Sequence, residues 1–120
     1  MYFIQADLKS QNIRGVDYNW YDLSDKKIQQ KLNGQPFDVL IVDAPIANVS
    51  NMARYPALPN LLQYLADDFV VFLDDIERKD ETEIAAFWCS EFDLVYQKSA
   101  INGGVGIMRP KNTPHKYNIS

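Results

Sequence analysis

Phe37-Asp-Val-Leu-Ile-Val-Asp-Ala-Pro45 and Phe69-Val-Val-Phe-Leu-Asp-Asp75 are two apolar runs that each stop on aspartate. Unbroken stretches of β-branched and large apolar residues suit strands covered by helices on both faces. The C-terminal ends of such strands are where open α/β sheets bind their ligands. Asp43, Asp74 and Asp75 are therefore expected to converge on one crevice.

Working outward, Tyr2–Ile4 reads as a short strand ending near Asp7, and residues 9–22 read as an irregular, aromatic-rich loop. Ser24 is a candidate N-cap for a helix carrying Ile28 and Leu32 on one face, stopped by Asn33-Gly34. After a polar loop, Asn48 to Asn51, Ala53-Arg-Tyr-Pro-Ala-Leu-Pro59 opens a helix presenting Leu58, Leu61, Leu62 and Leu65. Asp80 with Glu83 resembles a capping box for a helix that continues through Ile84, Phe87, Trp88 and Phe92. Leu94–Gln97 and Val105–Met108 read as strands joined through Gly103-Gly104, an antiparallel hairpin. This order predicts an α/β domain over residues 1–110: a mostly parallel sheet with helices on both faces and an antiparallel C-terminal end. Residues 111–120 read as a polar tail.

The bulk properties exclude several classes. With 120 residues the chain fits one domain, and 47% hydrophobic against 23% charged residues is globular rather than disordered. Sixteen acidic residues outnumber twelve Lys and Arg, giving a net charge of -4 with no basic cluster, so nucleic acid is not an expected partner. No run approaches a membrane span, and Met1–Ile4 is too short for a secretory signal, so the chain reads as cytoplasmic. The single Cys89, beside Trp88, reads as a small buried hydrophobe. His115 lies in the tail, without the fixed position a catalytic base needs.

The wording of the motifs resembles the C-terminal half of class I S-adenosylmethionine-dependent methyltransferases. It is carried by Trp20-Tyr-Asp22, Asp38 to Pro45, Ala53 to Pro59, Leu73-Asp-Asp75, Arg78, Glu81 or Glu83, and Trp88, across about residues 18–108. The resemblance implies a truncated Rossmann-like sheet, with S-adenosylmethionine as cofactor and Asp43 at the edge of its site. It also implies a chain that begins near the family's third strand. The glycine-rich cofactor turn of the family has no counterpart here, and Ala44 stands where the family carries glycine. Gly103-Gly-Val-Gly106 lies within the C-terminal hairpin instead. By resemblance to catechol-type enzymes, Asp43, Asp74 and Asp75 would ligate a divalent cation such as Mg²⁺, for which oxygen donors are suited. Capping of helix ends or turns is the alternative for the same aspartates.

Arg54 and Tyr55 are expected near the same strand ends, Arg54 either clamping an anion or neutralising the carboxylates. Trp20 is a further candidate, lining a pocket or packing in the core. Arg78 with Glu81 or Glu83 reads as a surface ion pair. Receiver domains of response regulators share a strand ending on aspartate, but their acidic pair precedes it, whereas Asp74-Asp75 follows Asp43. Loss of the family's first strand would leave the 38–43 strand with an unpaired edge, a template for association. Either Tyr2–Ile4 pairs there, or a homodimer or a complementing polypeptide forms through it. The expectation is thus a methyltransferase-like domain that is not an independent enzyme, or a non-catalytic interaction module.

Overall fold

The structure, a computed structural model, describes residues 8–43, 52–100 and 104–111. The expected strand at Tyr2–Ile4, the loop at Asn48–Asn51 and the tail with His115 lie outside them.

The first element is a β-hairpin rather than a loop. Strand β1 (Leu8–Ile13) pairs antiparallel with β2 (Val16–Tyr21), from Leu8↔Tyr21 to Ile13↔Val16. Its turn, Arg14-Gly15, has φ of 53° and 84°, the two positive values of the tight turn that matches strand twist. In Val16-Asp-Tyr-Asn-Trp-Tyr21 the apolar residues alternate with polar ones, so Tyr18 and Trp20 face inward while Asp17 and Asn19 face water. Tyr18 packs on Tyr55 at a centroid distance of 5.2 Å, and Gln11 and Asn60 exchange reciprocal 2.9 Å amide hydrogen bonds.

Helix α1 (Lys26–Leu32) is capped by Asp25, not Ser24: the Asp25 carboxylate accepts from the backbone N–H of Lys27 at 2.8 Å and of Ile28 at 3.4 Å. The Ser24 N–H is bound by Asp22 at 3.0 Å. Strand β3 (Phe37–Val42) then runs parallel to β4 (Leu65–Asp74), with Val39↔Val70 through Val42↔Leu73 in register. Between them lie a short helix α2 (Ala57–Leu61) and a 3-10 turn, Leu62–Tyr64, instead of one long amphipathic helix. Helix α3 (Lys79–Phe92) ends at Asp93 in the left-handed conformation. Strands β5 (Leu94–Ser99) and β6 (Val105–Pro110) form the expected hairpin, and the sheet order is β3-β4-β6-β5.

This corrects the expectation of a mostly parallel, Rossmann-like sheet with helices on both faces. Among the described residues the only parallel pair is β3–β4; β6 lies antiparallel between β4 and β5, and β1–β2 forms a separate two-stranded antiparallel sheet. The physical reason is visible in β3. Its apolar run is not covered on both faces, since Ile41 is 70% exposed and Val39 42%. Only the other face meets the core, built from Val42, Val71, Leu73 and Met108 of the sheet with Leu58, Ile84, Trp88 and Trp20. Trp88 is fully buried, and its indole N–H donates to the Tyr55 carbonyl at 3.0 Å. That bond ties α3 to the turn before α2.

Candidate functional site

The parallel pair sets the site. Asp43 follows β3, Asp74 closes β4, and Asp75 comes next with φ 57°, a left-handed conformation that aspartate tolerates better than most residues. One carboxylate oxygen from each lies within 4.8 Å of the others. The convergence expected from the two strand ends is therefore present. Asp75 is further held through its backbone, its N–H donating to the Asp74 carboxylate at 2.9 Å and its carbonyl accepting from the Arg78 N–H at 3.0 Å.

Arg54 reaches this rim from beneath. Ala53, Arg54, Tyr55, Ala57 and Leu58 are all buried, so the segment read as a helix opening is core, and it carries a guanidinium with it. That side chain is 4% exposed. Nη1 donates to the Asp74 carbonyl and to Asp75 Oδ2, both at 3.2 Å, and Nη2 donates to the Asp43 carbonyl at 3.3 Å. Nη2 also stands 3.6 Å from Asp43 Oδ1. Arg54 thus joins the ends of β3 and β4, and it neutralises part of the acidic charge. Of the two roles weighed for it, this is the one its hydrogen bonds serve.

One positive charge does not satisfy three carboxylates. The Asp43 carboxyl is pushed above the ordinary aspartate range, chiefly by a hydrogen bond shared with Asp74, then by desolvation and by the Asp74 charge, with Arg54 opposing. Three carboxylate oxygens are the hard donors Mg²⁺ and Ca²⁺ take. The donor set fits such an ion, with Asp43, Asp74 and Asp75 as the residues that would hold it.

Two acidic groups near the rim escaped the sequence reading. Glu81, expected at the surface with Arg78, is 1% exposed, and its Oε2 has no hydrogen-bond partner. Burial raises its pKa, with Arg54 the main opposing influence. Asp80 does not form a capping box with Glu83; its carboxylate accepts from the Met52 N–H at 3.1 Å and so anchors the turn that delivers Arg54. A signal for Glu81 exists in hindsight, because it shares a helical face with Ile84, Ala85 and Trp88.

Tyr55 does not join the rim. Its hydroxyl donates to Glu91 at 2.6 Å, and desolvation followed by that carboxylate raises its pKa far above the ordinary tyrosine value. Glu91 in turn pairs with Arg14 at 3.4 Å, closing a contact between the hairpin and α3. Trp20 is 6% exposed, and its indole N–H has no acceptor. It borders an apolar slot of about 410 Å³ together with Tyr21, Leu40, Val42, Ala57 and Leu61, and Asp43 stands at the end of that slot. Asp43 therefore belongs to both the rim and the slot. Cys89 is half-buried, and desolvation raises its thiol pKa, as befits a packing residue.

The glycines of the C-terminal hairpin serve packing. A Cβ on Gly104, whose φ is +91°, would meet Ile76 Cγ2 at 2.8 Å, and one on Gly106 would meet Ile76 Cδ1 at 2.9 Å. They seat Ile76 under the β5–β6 hairpin, and no glycine-rich cofactor turn occurs among the described residues. Among the described residues no helix is long and apolar enough to cross a membrane. No known family model matches the chain, and no curated protein matches it either.

Proposed function

We propose that this chain is a methyltransferase-like domain of the cytoplasm that does not act alone, contributing a divalent-cation rim and the apolar slot beside it. The observation that carries this reading is the convergence of Asp43, Asp74 and Asp75 within 4.8 Å at the ends of the parallel strand pair. One guanidinium stands beside three aspartates, and a divalent cation would suit the acidic cluster that they form. In this reading another polypeptide or a second copy would supply the cofactor-gripping portion, and Gly104 and Gly106 of the C-terminal hairpin pack against Ile76. An acceptor with neighbouring oxygens and an apolar body would suit a cation beside the slot lined by Leu40, Ala57 and Leu61.

Thermal unfolding followed with Mg²⁺, with Ca²⁺, and with S-adenosylhomocysteine in the presence and absence of either ion tests the proposal. Each cation alone raises the midpoint, Asp75→Asn removes that response, and S-adenosylhomocysteine alone gives none. A chain indifferent to millimolar cation loses the proposed role. Arg54 would then be the counter-ion that the aspartates have among the described residues, and a non-catalytic interaction module would be the better description.

A further inference from the structure

Asn33-Gly34, which stops α1, pairs a side-chain carboxamide with the least hindered backbone nitrogen a protein offers. It is the one Asn-Gly pair among the described residues; Asn102-Gly103 lies outside them. Asn33 is the C-cap of α1, with φ -83° and ψ 10°, and its own N–H donates to the Gln29 carbonyl at 2.9 Å. Both residues are exposed. Among the described residues the Asn33 carboxamide has no hydrogen-bond partner, and the Gly34 N–H has no backbone acceptor. The other asparagines differ. Asn12 donates to Asp17 at 2.9 Å while its Oδ1 accepts from the Gly15 N–H at 3.1 Å, and Asn60 is held by Gln11 at 2.9 Å. Asn19 lies within β2 and is followed by the bulky Trp20.

We infer that Asn33 is a self-modification site, at which the Gly34 backbone nitrogen attacks the Asn33 side-chain carbonyl carbon and converts the asparagine to aspartate and isoaspartate. The new nitrogen–carbon bond closes a five-membered succinimide. The side-chain nitrogen departs as ammonia, on which the Gly34 amide hydrogen ends. Water then opens the ring. Cleavage at the side-chain carbonyl leaves an aspartate in an unaltered backbone, and cleavage at the backbone carbonyl leaves isoaspartate, with the chain running through the former side chain.

Ring closure needs the Asn33–Gly34 peptide to swing away from its ψ of 10°, so that the Gly34 nitrogen meets the side-chain carbon. The swing lies beyond the last helical hydrogen bond, which uses the Asn33 N–H, so α1 stays intact while it occurs. Glycine accepts the new backbone angles. There is also room, since the nearest neighbour of a Cβ built on Gly34 would be the Lys31 carbonyl at 3.7 Å. Conversion replaces a neutral amide by a carboxylate and takes the net charge from -4 to -5. The new charge stands at the C-terminus of α1, the negative end of the helix dipole, and so weakens the helix. Isoaspartate further lengthens the backbone by one carbon at the joint between α1 and β3, the strand that leads to Asp43.

The full chain is incubated in mildly alkaline buffer, folded and, in parallel, unfolded in urea. Samples are then cut with an acid protease, and peptide fragmentation separates position 33 from position 102. In the folded chain the peptide holding Asn33 gains the mass of amide-to-acid conversion and splits into aspartate and isoaspartate forms, while the intact chain focuses at a more acidic pH. Asn12 and Asn60 stay unconverted over the same time. Gly34→Ala, whose methyl makes only ordinary contact with Lys31, slows the conversion severalfold with an unchanged circular dichroism spectrum. Asn33 that stays intact in the folded chain while the unfolded chain converts overturns the inference. Conversion of Asn12 or Asn60 as fast as Asn33, or an unchanged rate in Gly34→Ala, overturns it as well.

Discussion

Replacing Arg54 by methionine keeps the apolar stem and removes the guanidinium on which the rim depends. Three hydrogen bonds go, to the carbonyls of Asp43 and Asp74 and to the Asp75 carboxylate, together with the 3.6 Å approach to Asp43 Oδ1. Each lost backbone partner costs about 1 kcal/mol. Removing one member of a buried ion pair costs about 3–5 kcal/mol when the remaining charge stays buried. Here Asp75 and Asp43 are 37% and 66% exposed, so water takes up part of the loss. A total near 3 kcal/mol follows, equivalent to a urea midpoint lowered by about 1–2 M. The loss also depends on pH. Arg54 holds the Asp43 pKa down, so without it Asp43 keeps its proton to higher pH in the folded state. The folded state then binds more protons than the unfolded one, and stability falls more steeply as pH rises. Urea titrations at about pH 4 and about pH 7 measure this, with the larger deficit expected at the higher pH. A deficit below about 1 kcal/mol, or one equal at both pH values, refutes the role assigned to Arg54.

Glu81→Gln tests the buried carboxyl. Because burial raises its pKa above the ordinary 4.5, folded Glu81 retains a proton that the unfolded chain releases, and stability is lost as pH rises from 4.5 through the folded value. The glutamine variant lacks that decline, so it overtakes the parent in denaturant midpoint as pH increases; parallel curves would show that Glu81 does not titrate in this environment. Gly104→Ala and Gly15→Ala separate conformation from crowding. Both positions have positive φ, but only at position 104 does the new methyl strike Ile76, whereas at Gly15 nothing lies within 4 Å. Position 15 costs about 1 kcal/mol and position 104 about 2–3 kcal/mol, read from thermal melts; equal costs would remove the packing role of the C-terminal glycines.

How far the sequence could be read follows from what each signal measures. The runs at 37–43 and 69–75 marked adjacent strands and brought their aspartates together, because abrupt termination of an apolar run on a carboxylate is local. The same runs misled about coverage. Continuity of apolar residues does not distinguish a strand buried on both faces from one with an exposed apolar face, and Ile41 belongs to the second kind. The hairpin at 8–21 was legible in the alternation from Val16 to Tyr21, but its polar inner and outer neighbours, Asn12, Asp17 and Asn19, gave it the composition of a loop. Arg54 was expected at the rim and lies there, whereas Tyr55, its neighbour in sequence, turns to Glu91 in α3. No local pattern carries that information, since it depends on how α3 is seated by Trp88.

The account rests most heavily on Asp43, Asp74 and Asp75 together holding a divalent cation. Titration calorimetry of the full chain with Ca²⁺ reads that binding directly. A heat of binding is expected, and Asp74→Asn should abolish it. No heat of binding, or binding that survives Asp74→Asn, would contradict the assignment of this rim as the cation site.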